Sequence, residues 1–329
     1  MLLAAETARD NFVDLDVPVW AWFALLATIV ALLVIDLARH RDNHESTTRE
    51  ALIESTGWVL CGLSFGVVIL FAAGGDAFGE YLSGYLIEKS LSVDNVFVWS
   101  LIFSTFAIPL RYQHRVLFWG VVGALVLRAA FIVLGSALVS RFVWSLVVFG
   151  VFLVLTGLKV IRHRDDEGSS ATRGVNLVRR VMPVSDEYDG HRFLTRIDGR
   201  RAATPLLAAL VVVEITDVIF AVDSVPAILA VSDEPYLLFA SNAFAILGLR
   251  AMYFLLANAR QRFHYLSHGL GAILIFVGSK MILAPWYHVD TYVSLGVILL
   301  MLVAAIVFSE RRTRRLGPVE LDPEPTHGS

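Results

Sequence analysis

Residues 204–230 read TPLLAALVVVEITDVIFAVDSVPAILA, an apolar run that carries three carboxylic acids. A bilayer-spanning helix needs about 20 mostly apolar residues, so this run is long enough to cross a membrane. Its acids are Glu214, Asp217 and Asp223. Because an ionisable side chain inside a bilayer is costly unless it is paired, protonated or hydrated, acids in such a segment indicate a functional site.

The whole chain has the composition of a membrane protein. Of its 329 residues, 57% are hydrophobic and 17% are charged, whereas about a quarter of the residues in a soluble domain are charged. The net charge of −3 gives no bulk attraction to nucleic acid. The single cysteine, Cys61, excludes a disulfide framework and a cysteine-based zinc cluster. We therefore exclude a disordered chain, a nucleic-acid binder and an ordinary soluble enzyme.

Segments of spanning length recur along the sequence and predict an all-α, polytopic membrane helix bundle with about nine transmembrane helices. The predicted spans are approximately 18–37, 51–73, 79–105, 113–138, 142–161, 204–230, 235–257, 267–284 and 289–309. We expect no cleavable signal peptide, because the first 17 residues are polar and acidic and the first apolar run is of full length. Because of these spans, the lipid bilayer is the first predicted partner.

Arginine is concentrated in alternate loops, which predicts the orientation of the chain. The loop from Arg162 to Arg201 holds nine arginines, whereas the loops on the opposite side hold Arg141 alone. Cytoplasmic loops of membrane proteins carry the excess of basic residues. We therefore predict a multi-pass protein of the inner (plasma) membrane, with the N-terminus outside and the C-terminus in the cytoplasm.

An internal repeat relates spans three to five to spans six to eight. The matched residues, in order, are Glu88 with Asp217, Asp94 with Asp223, Asn95 with Ser224, Arg128 with Arg250, Gly150 with Gly271, Gly157 with Gly278 and Lys159 with Lys280. Each unit has three spans, an odd number, so the copies enter the membrane from opposite sides. This predicts a 3+3 inverted repeat, which is common in secondary transporters with a binding site near the midplane. Small-residue packing alone would explain the glycines but not the charges.

The repeat divides the chain into five parts. They are an N-terminal extracytoplasmic segment with two peripheral spans (1–78), repeat A (79–161), a cytoplasmic loop (162–203), repeat B (204–284), and the ninth span with a cytoplasmic tail (285–329).

Four local features of this organisation follow from the sequence. Within the cytoplasmic loop we expect flexibility over 162–172, an amphipathic piece over 175–181, and a hairpin over 192–204 that turns at Asp198-Gly199. Pro226 lacks a backbone N–H, so we expect it to break or kink the sixth span.

The candidate metal site consists of oxygen donors on the third and sixth spans. They are Glu88, Asp94, Asn95, Glu214, Asp217, Asp223 and Ser224. Carboxylate, amide and hydroxyl oxygens suit Mn²⁺, Ca²⁺ or Mg²⁺ and disfavour Cu(I) and structural Zn²⁺.

Basic residues within the spans are predicted counter-ions or structural residues. They are Lys89, Arg128, Arg250 and Lys280. If the acids only paired with bases, five acids would face Lys89 and two arginines, so at least two acids would still need a proton or a cation. Snorkelling to the interface is the preferred interpretation for Lys159 and, beside the counter-ion role, also for Lys280. Asp36 and Glu54, in or beside the outer spans, have no assigned role.

Several segments resemble the TerC family of integral membrane proteins, which is named for tellurium resistance. The resemblance covers roughly residues 50–309. It rests on YLIEKSLSVDNV (85–96), PVSDEY (183–188), TPL (204–206), EITDVIFAVDSVP (214–226) and SNAFAILGLR (241–250).

This resemblance implies a polytopic inner-membrane protein of metal-ion homeostasis that is related to the lysine-exporter superfamily. Some family members are associated with manganese export, others with tellurite resistance or stress-response membrane complexes. Tellurite is an oxyanion, which five carboxylates would repel.

Two functions are consistent with the sequence. The first is export of a divalent cation through a carboxylate-lined midplane site, with proton exchange on the same acids. Mn²⁺ is the favoured ion and Ca²⁺ the second choice, and we expect neither a tightly bound cofactor nor enzymatic activity. The second is a non-transporting scaffold or metal sensor in a tellurite or metal stress-response complex, which docks soluble stress-response proteins on the cytoplasmic loop. A scaffold does not need acids inside the membrane, so the sequence favours the transporter.

Overall fold

The structure is a computed structural model that describes residues 12–39, 47–142, 144–162, 185, 188–190, 192–197, 200–257, 266–284, 286 and 289–316. In this part of the chain the helices are α1 Val19–Arg39, α2 Thr48–Ala73, α3 Gly75–Thr105, α4 Leu110–Arg141, α5 Trp144–Arg162, α6 Pro205–Leu229, α7 Pro235–Leu247, α8 Leu249–Ala257, α9 Leu266–Leu283 and α10 Thr291–Leu316. Strands β1 Leu194–Ile197 and β2 Arg200–Ala203 precede α6.

The helices correspond to the predicted spans. Seven helices in the described residues are long and apolar enough to cross a membrane, with α7 and α8 counted together. The helix α3, which carries acids and a lysine, and the shorter α9 lie at the two remaining predicted spans. The all-α polytopic bundle is therefore confirmed.

The outer surface of the bundle is apolar, as a bilayer requires. Large side chains stand exposed on the peripheral helices, including Trp20 at 70%, Phe71 at 84% and Leu300 at 71% of their area. An apolar surface of this kind marks a site of contact with a membrane. Polar and charged side chains in the middle of α3, α4 and α6, such as Glu88, Arg128 and Asp217, lie instead between helices, where they are buried.

The core is formed by α3, α4, α6 and α7, of which α7 is buried along almost its whole length. Small residues permit this close packing. A Cβ atom added at Gly84 of α3 would lie 2.8 Å from Oγ of Ser241 on α7. Neighbouring α7 residues include Ala240 and Ala243, which are also buried. The central helices therefore approach closely enough for side chains of one to reach the next.

The helices α5 and α9 pack through four glycines in a reciprocal pattern. A Cβ atom added at Gly150 would lie 2.7 Å from the carbonyl oxygen of Gly278, and one at Gly157 would lie 2.6 Å from that of Gly271. In the other direction, a Cβ atom added at Gly278 would lie 2.6 Å from the carbonyl oxygen of Gly150, and one added at Gly271 would lie 2.8 Å from that of Gly157. Two helices related by a two-fold axis make such self-complementary contacts. The contact concerns one helix pair, and the full inverted repeat stays a prediction.

The predicted break at Pro226 is wrong, because α6 continues as one helix from Pro205 to Leu229. Pro226 lies only three residues before the end of α6, so little helix follows that a break could redirect. The interruption lies instead in the seventh span, between α7 and α8 at Gly248. A Cβ atom there would lie 2.7 Å from Cβ of Trp58, so the close approach of α2 requires glycine.

The hairpin predicted over residues 192–204 is confirmed. Strands β1 and β2 pair antiparallel, with Leu194 opposite Ala203 and Ile197 opposite Arg200. The predicted turn residues, 198–199, lie outside the described residues, as do 163–172 and the predicted amphipathic piece 175–181.

Candidate metal site

A buried arginine joins the third and sixth spans. Arg128 of α4 is 1% exposed, and its Nη1 forms an ion pair with Oε1 of Glu88 on α3. Its Nε lies 3.7 Å from Oδ2 of Asp217 on α6. Both carboxylates are buried. The structure therefore brings the matched acids of the two repeats to one guanidinium.

Glu88 is the better satisfied of the two acids. One turn along α3, the hydroxyl of Ser92 donates to Oε1 at 3.1 Å, as the shared face at i and i+4 predicts. From α7, Nδ2 of Asn242 donates to Oε2 at 3.0 Å. With Arg128, both carboxylate oxygens of Glu88 have donors. The sequence did not single out Asn242, because a neutral amide in an apolar span carries no charge signal.

Asp217 is buried without a hydrogen bond in the described part of the structure, at either Oδ1 or Oδ2. Its interaction with Arg128 is the 3.7 Å ion pair alone. The amide nitrogen of Asn95 on α3 is likewise buried without an acceptor among the described residues. Buried polar atoms left unpaired cost about 1–3 kcal/mol each. Asp217 is therefore the carboxylate of this cluster that is open to a further positive partner.

Ser224, a predicted metal ligand, lies in the same cluster. Its Oγ accepts a hydrogen bond from Nη1 of Arg128 at 3.0 Å, so the hydroxyl faces the guanidinium. Glu214 is partly buried one helical turn before Asp217. A side chain at Gly123 of α4 would collide with the Glu214 carboxylate, so glycine makes room for this acid.

The two remaining predicted acids, Asp94 and Asp223, lie within α3 and α6. Their side chains are outside the described part of the structure, and their shared cavity stays a prediction. No group of three or more His, Cys, Asp or Glu among the described side chains is placed to hold a metal ion. The described core of the candidate site is therefore the cluster of Glu88, Arg128 and Asp217.

Arg250 matches Arg128 in the sequence but has different partners. It lies 2.5 Å from Oδ1 of Asp36 on α1 and 3.8 Å from Oε1 of Glu54 on α2. The pair is buried, with Arg250 at 3% and Asp36 at 6% exposure. Arg250 is thus a counter-ion to the peripheral spans, and Asp36 and Glu54 acquire a role that the sequence did not assign.

The three lysines of the predicted spans also have different surroundings. Nζ of Lys89 donates to the carbonyl oxygen of Ala245 on α7 at 3.1 Å. Lys159, in the last turn of α5, is exposed, which agrees with snorkelling. Lys280 is buried, and its Nζ has no hydrogen-bond acceptor among the described residues. Lys280 lies in the last turn of α9, and its role as a counter-ion or a snorkelling residue stays a prediction.

Two further buried carboxylates, of Glu80 and Glu234, lie near the N-terminal ends of α3 and α7. Glu80 of α3 accepts hydrogen bonds from the backbone N–H of Val13 at 2.8 Å and from the hydroxyl of Ser232 at 2.6 Å. Glu234 accepts from the backbone N–H of Leu15 at 3.2 Å. These bonds hold the segment before α1 across the ends of α3 and α7. No motif in the sequence predicts this contact.

Comparison with known proteins identifies relatives over nearly the whole chain. The model of the integral membrane protein TerC family matches residues 73–316. An uncharacterized membrane protein of Myxococcus xanthus is 46% identical over 303 residues, which are 92% of this chain and 95% of that protein. A protein of Escherichia coli K12 named "Putative membrane-bound redox modulator Alx" is 44% identical over 299 residues, which are 88% of this chain and 93% of that protein. No solved structure matches the chain.

Proposed function

The chain belongs to the TerC family of integral membrane proteins, and from this premise we propose that it exports a divalent cation, with Mn²⁺ favoured, from the cytoplasm. The observation that carries the proposal is the buried cluster of Glu88, Arg128 and Asp217. Two carboxylates share one guanidinium, so the ionised cluster has a net negative charge. An uncompensated charge in a low-dielectric interior is costly, which favours binding of a cation or a proton.

The surrounding charges support a cation rather than an anion. Arg250 is held by Asp36 and Glu54, and Lys89 by a backbone carbonyl. Arg128 is therefore the one base with a described ion pair to the acids of the third and sixth spans. An oxyanion would meet a net negative site and be repelled, whereas oxygen ligands suit Mn²⁺.

The geometry suggests how a cation would enter the cluster. Glu88 has donors from Ser92, Asn242 and Arg128, whereas Asp217 has only its longer ion pair with Arg128. A cation that binds Asp217 would therefore displace a weak contact and leave the strong one intact. Asp94 and Asp223, from the same two helices, would add carboxylates, and acids that do not bind the cation would carry the exchanged protons. The proposal requires no tightly bound cofactor.

The alternative is the non-transporting scaffold or metal sensor. The name of the Escherichia coli relative refers to redox modulation, but this chain has one cysteine, Cys61, which cannot form an intramolecular disulfide. A scaffold function gives no reason for buried intramembrane acids that outnumber their bases. We therefore keep cation export ahead of it.

The proposal is tested in a manganese-sensitive host with Asp217→Asn, Asp94→Asn and Asp223→Asn, because Asn keeps shape but removes charge. Cell manganese, measured by mass spectrometry, and protein level in the membrane are determined together. Asp76→Asn is the matched control, because Asp76 is exposed at the start of α3.

We expect the native protein and Asp76→Asn to lower cell manganese, and Asp217→Asn and at least one of the other variants to fail at normal protein level. Normal export by all three well-expressed variants would remove the acids from the mechanism and put the scaffold ahead.

A further inference from the structure

One face of α4, away from the candidate metal site, is exposed along most of the helix. Side chains four or seven residues apart on a helix lie on the same face, and this face carries Arg111, Arg115, Trp119, Val126 and Val133. Trp119 is 47%, Val126 66% and Val133 64% exposed, and both arginines are exposed as well. The apolar part of this face therefore lies against the acyl chains of the bilayer.

The two arginines lie at the level of the lipid headgroups. The helix begins at Leu110 and its predicted span at residue 113, so Arg111 precedes the span and Arg115 lies in its first turn. Trp119 lies four residues, or about 6 Å, further in, and tryptophan is enriched where headgroups meet hydrocarbon. The face therefore presents two guanidiniums, then an interfacial ring, then an apolar track, which is the order of the parts of a phospholipid.

Aromatic rings hold both guanidiniums in place. Cζ of Arg111 lies 4.7 Å from the ring centre of Tyr112, and Cζ of Arg115 lies 5.0 Å from that of Phe193, which directly precedes β1. A cation over an aromatic face is attracted by the ring. Tyr112 is itself stacked on Tyr188, with 5.6 Å between the ring centres. Neither arginine has an ion pair or a hydrogen bond with another described residue, so their N–H donors are positioned and unused.

A phosphate group suits these donors, because a guanidinium donates two parallel hydrogen bonds to phosphate oxygens. Arg111 and Arg115 are one helical turn apart, so both can reach the same headgroup. The ammonium of a zwitterionic headgroup would be repelled by two arginines that have no described acid as a partner.

We propose that this face of α4 binds an anionic phospholipid. Its phosphate lies between Arg111 and Arg115, and one acyl chain follows the apolar track along Trp119 and Val126. Because the binding site combines the two charges with an apolar track that continues into the bilayer, its occupant is a lipid rather than free phosphate, which would use the arginines alone.

Lipid binding to the purified full-length protein in neutral detergent is measured by native mass spectrometry, with phosphatidylglycerol and phosphatidylcholine of identical acyl chains. We expect the native protein to bind phosphatidylglycerol about tenfold more tightly, and Arg111→Gln combined with Arg115→Gln to remove most of this preference. Arg311→Gln combined with Arg312→Gln is the matched control, because it removes the same charge at exposed positions of α10. Adjacent residues do not share a helix face, so this control should keep the preference.

Arg111→Lys combined with Arg115→Lys separates loss of the site from loss of the fold, because it keeps both charges and should retain part of the preference. Trp119 locates the bound lipid. In phosphatidylcholine vesicles that contain a little phosphatidylglycerol brominated on its acyl chains, bromine quenches the tryptophans that it contacts, and we expect Trp119→Phe to lose part of this quenching.

The proposal is overturned if the native protein binds the two lipids equally, if the double glutamine variant keeps the preference, or if Trp119→Phe leaves the quenching unchanged. It is also overturned if inorganic phosphate displaces phosphatidylglycerol as readily as a second anionic lipid does, which would indicate a site for a free anion. Each result is independent of cation export.

Discussion

Arg128 is the single residue on which the charge balance of the core depends. It compensates Glu88 and Asp217, which are both buried. Removing one partner of a buried ion pair leaves an uncompensated charge and costs about 3–5 kcal/mol. By contrast, replacing the charges together can be nearly neutral, because no group is left unpaired.

We therefore expect Arg128→Gln to lower the free energy of unfolding of the purified protein by about 3–5 kcal/mol. Adding Glu88→Gln and Asp217→Asn to the same chain should restore most of this loss. Arg311→Gln, at an exposed position of α10, is the control and should change stability little. Equal stability of Arg128→Gln and the native protein, measured by thermal unfolding in detergent, would show that the cluster does not carry a buried charge.

At the residue scale, charge was the signal that the sequence carried. Glu88, Asp217 and Arg128 were predictable as a group because charged side chains in apolar segments must find each other. Asn242 was not predictable, because a neutral amide in a helix does not require a charged partner. The partners of Arg250 were not predictable either, since Asp36 is 214 residues away in sequence and the contact depends on how α1 packs.

At the element scale, α5 and α9 depend on glycine. The nearest atoms to an added Cβ at Gly150 or Gly278 are backbone carbonyl oxygens of the facing helix, which cannot rotate away as a side chain can. Inserting methyl groups into a tightly packed interface costs about 1–3 kcal/mol. Elsewhere in a helix, replacing glycine by alanine is favourable by up to about 1 kcal/mol.

We expect Gly150→Ala and Gly278→Ala each to destabilise the protein in detergent by about 1–3 kcal/mol. Gly57→Ala is the matched control, because a Cβ at Gly57 of α2 would meet nothing within 4 Å, and it should be neutral or stabilising. Thermal unfolding of the three variants provides the measurement. If Gly57→Ala and Gly150→Ala shifted the melting temperature alike, the close contact of α5 with α9 would be refuted.

The elements themselves were largely predictable, because spans of apolar residues and a hairpin turn signal have local causes. The interruption of the second repeat was not. Pro226 is the stronger local indication of a helix break, but it lies near the end of α6, where the helix tolerates it. Gly248 has a weaker signal, and the interruption there places Trp58 of α2 against the backbone. That packing involves a second helix, so no local sequence pattern could predict it.

At the scale of the whole molecule, the arginine distribution predicts an N-terminus outside and a C-terminus in the cytoplasm. We expect a green fluorescent protein fused after residue 316 to fluoresce and an alkaline phosphatase fused at the same place to be inactive. The reverse outcome should hold for fusions after Asp233, in the loop between α6 and α7. A C-terminal phosphatase with full activity would invert the orientation and with it the direction of the proposed transport.

If the buried acids carry a divalent cation across the membrane, the purified protein transports Mn²⁺ without any other cellular component. Liposomes with an acidic lumen are loaded with a manganese-sensitive dye, and Mn²⁺ is added outside. We predict Mn²⁺ accumulation that a proton ionophore abolishes, that Asp217→Asn lacks and that Asp76→Asn retains. Mn²⁺ entry no faster than into protein-free liposomes would show that the protein does not transport this ion, and equal entry with Asp217→Asn would show that Asp217 does not bind it.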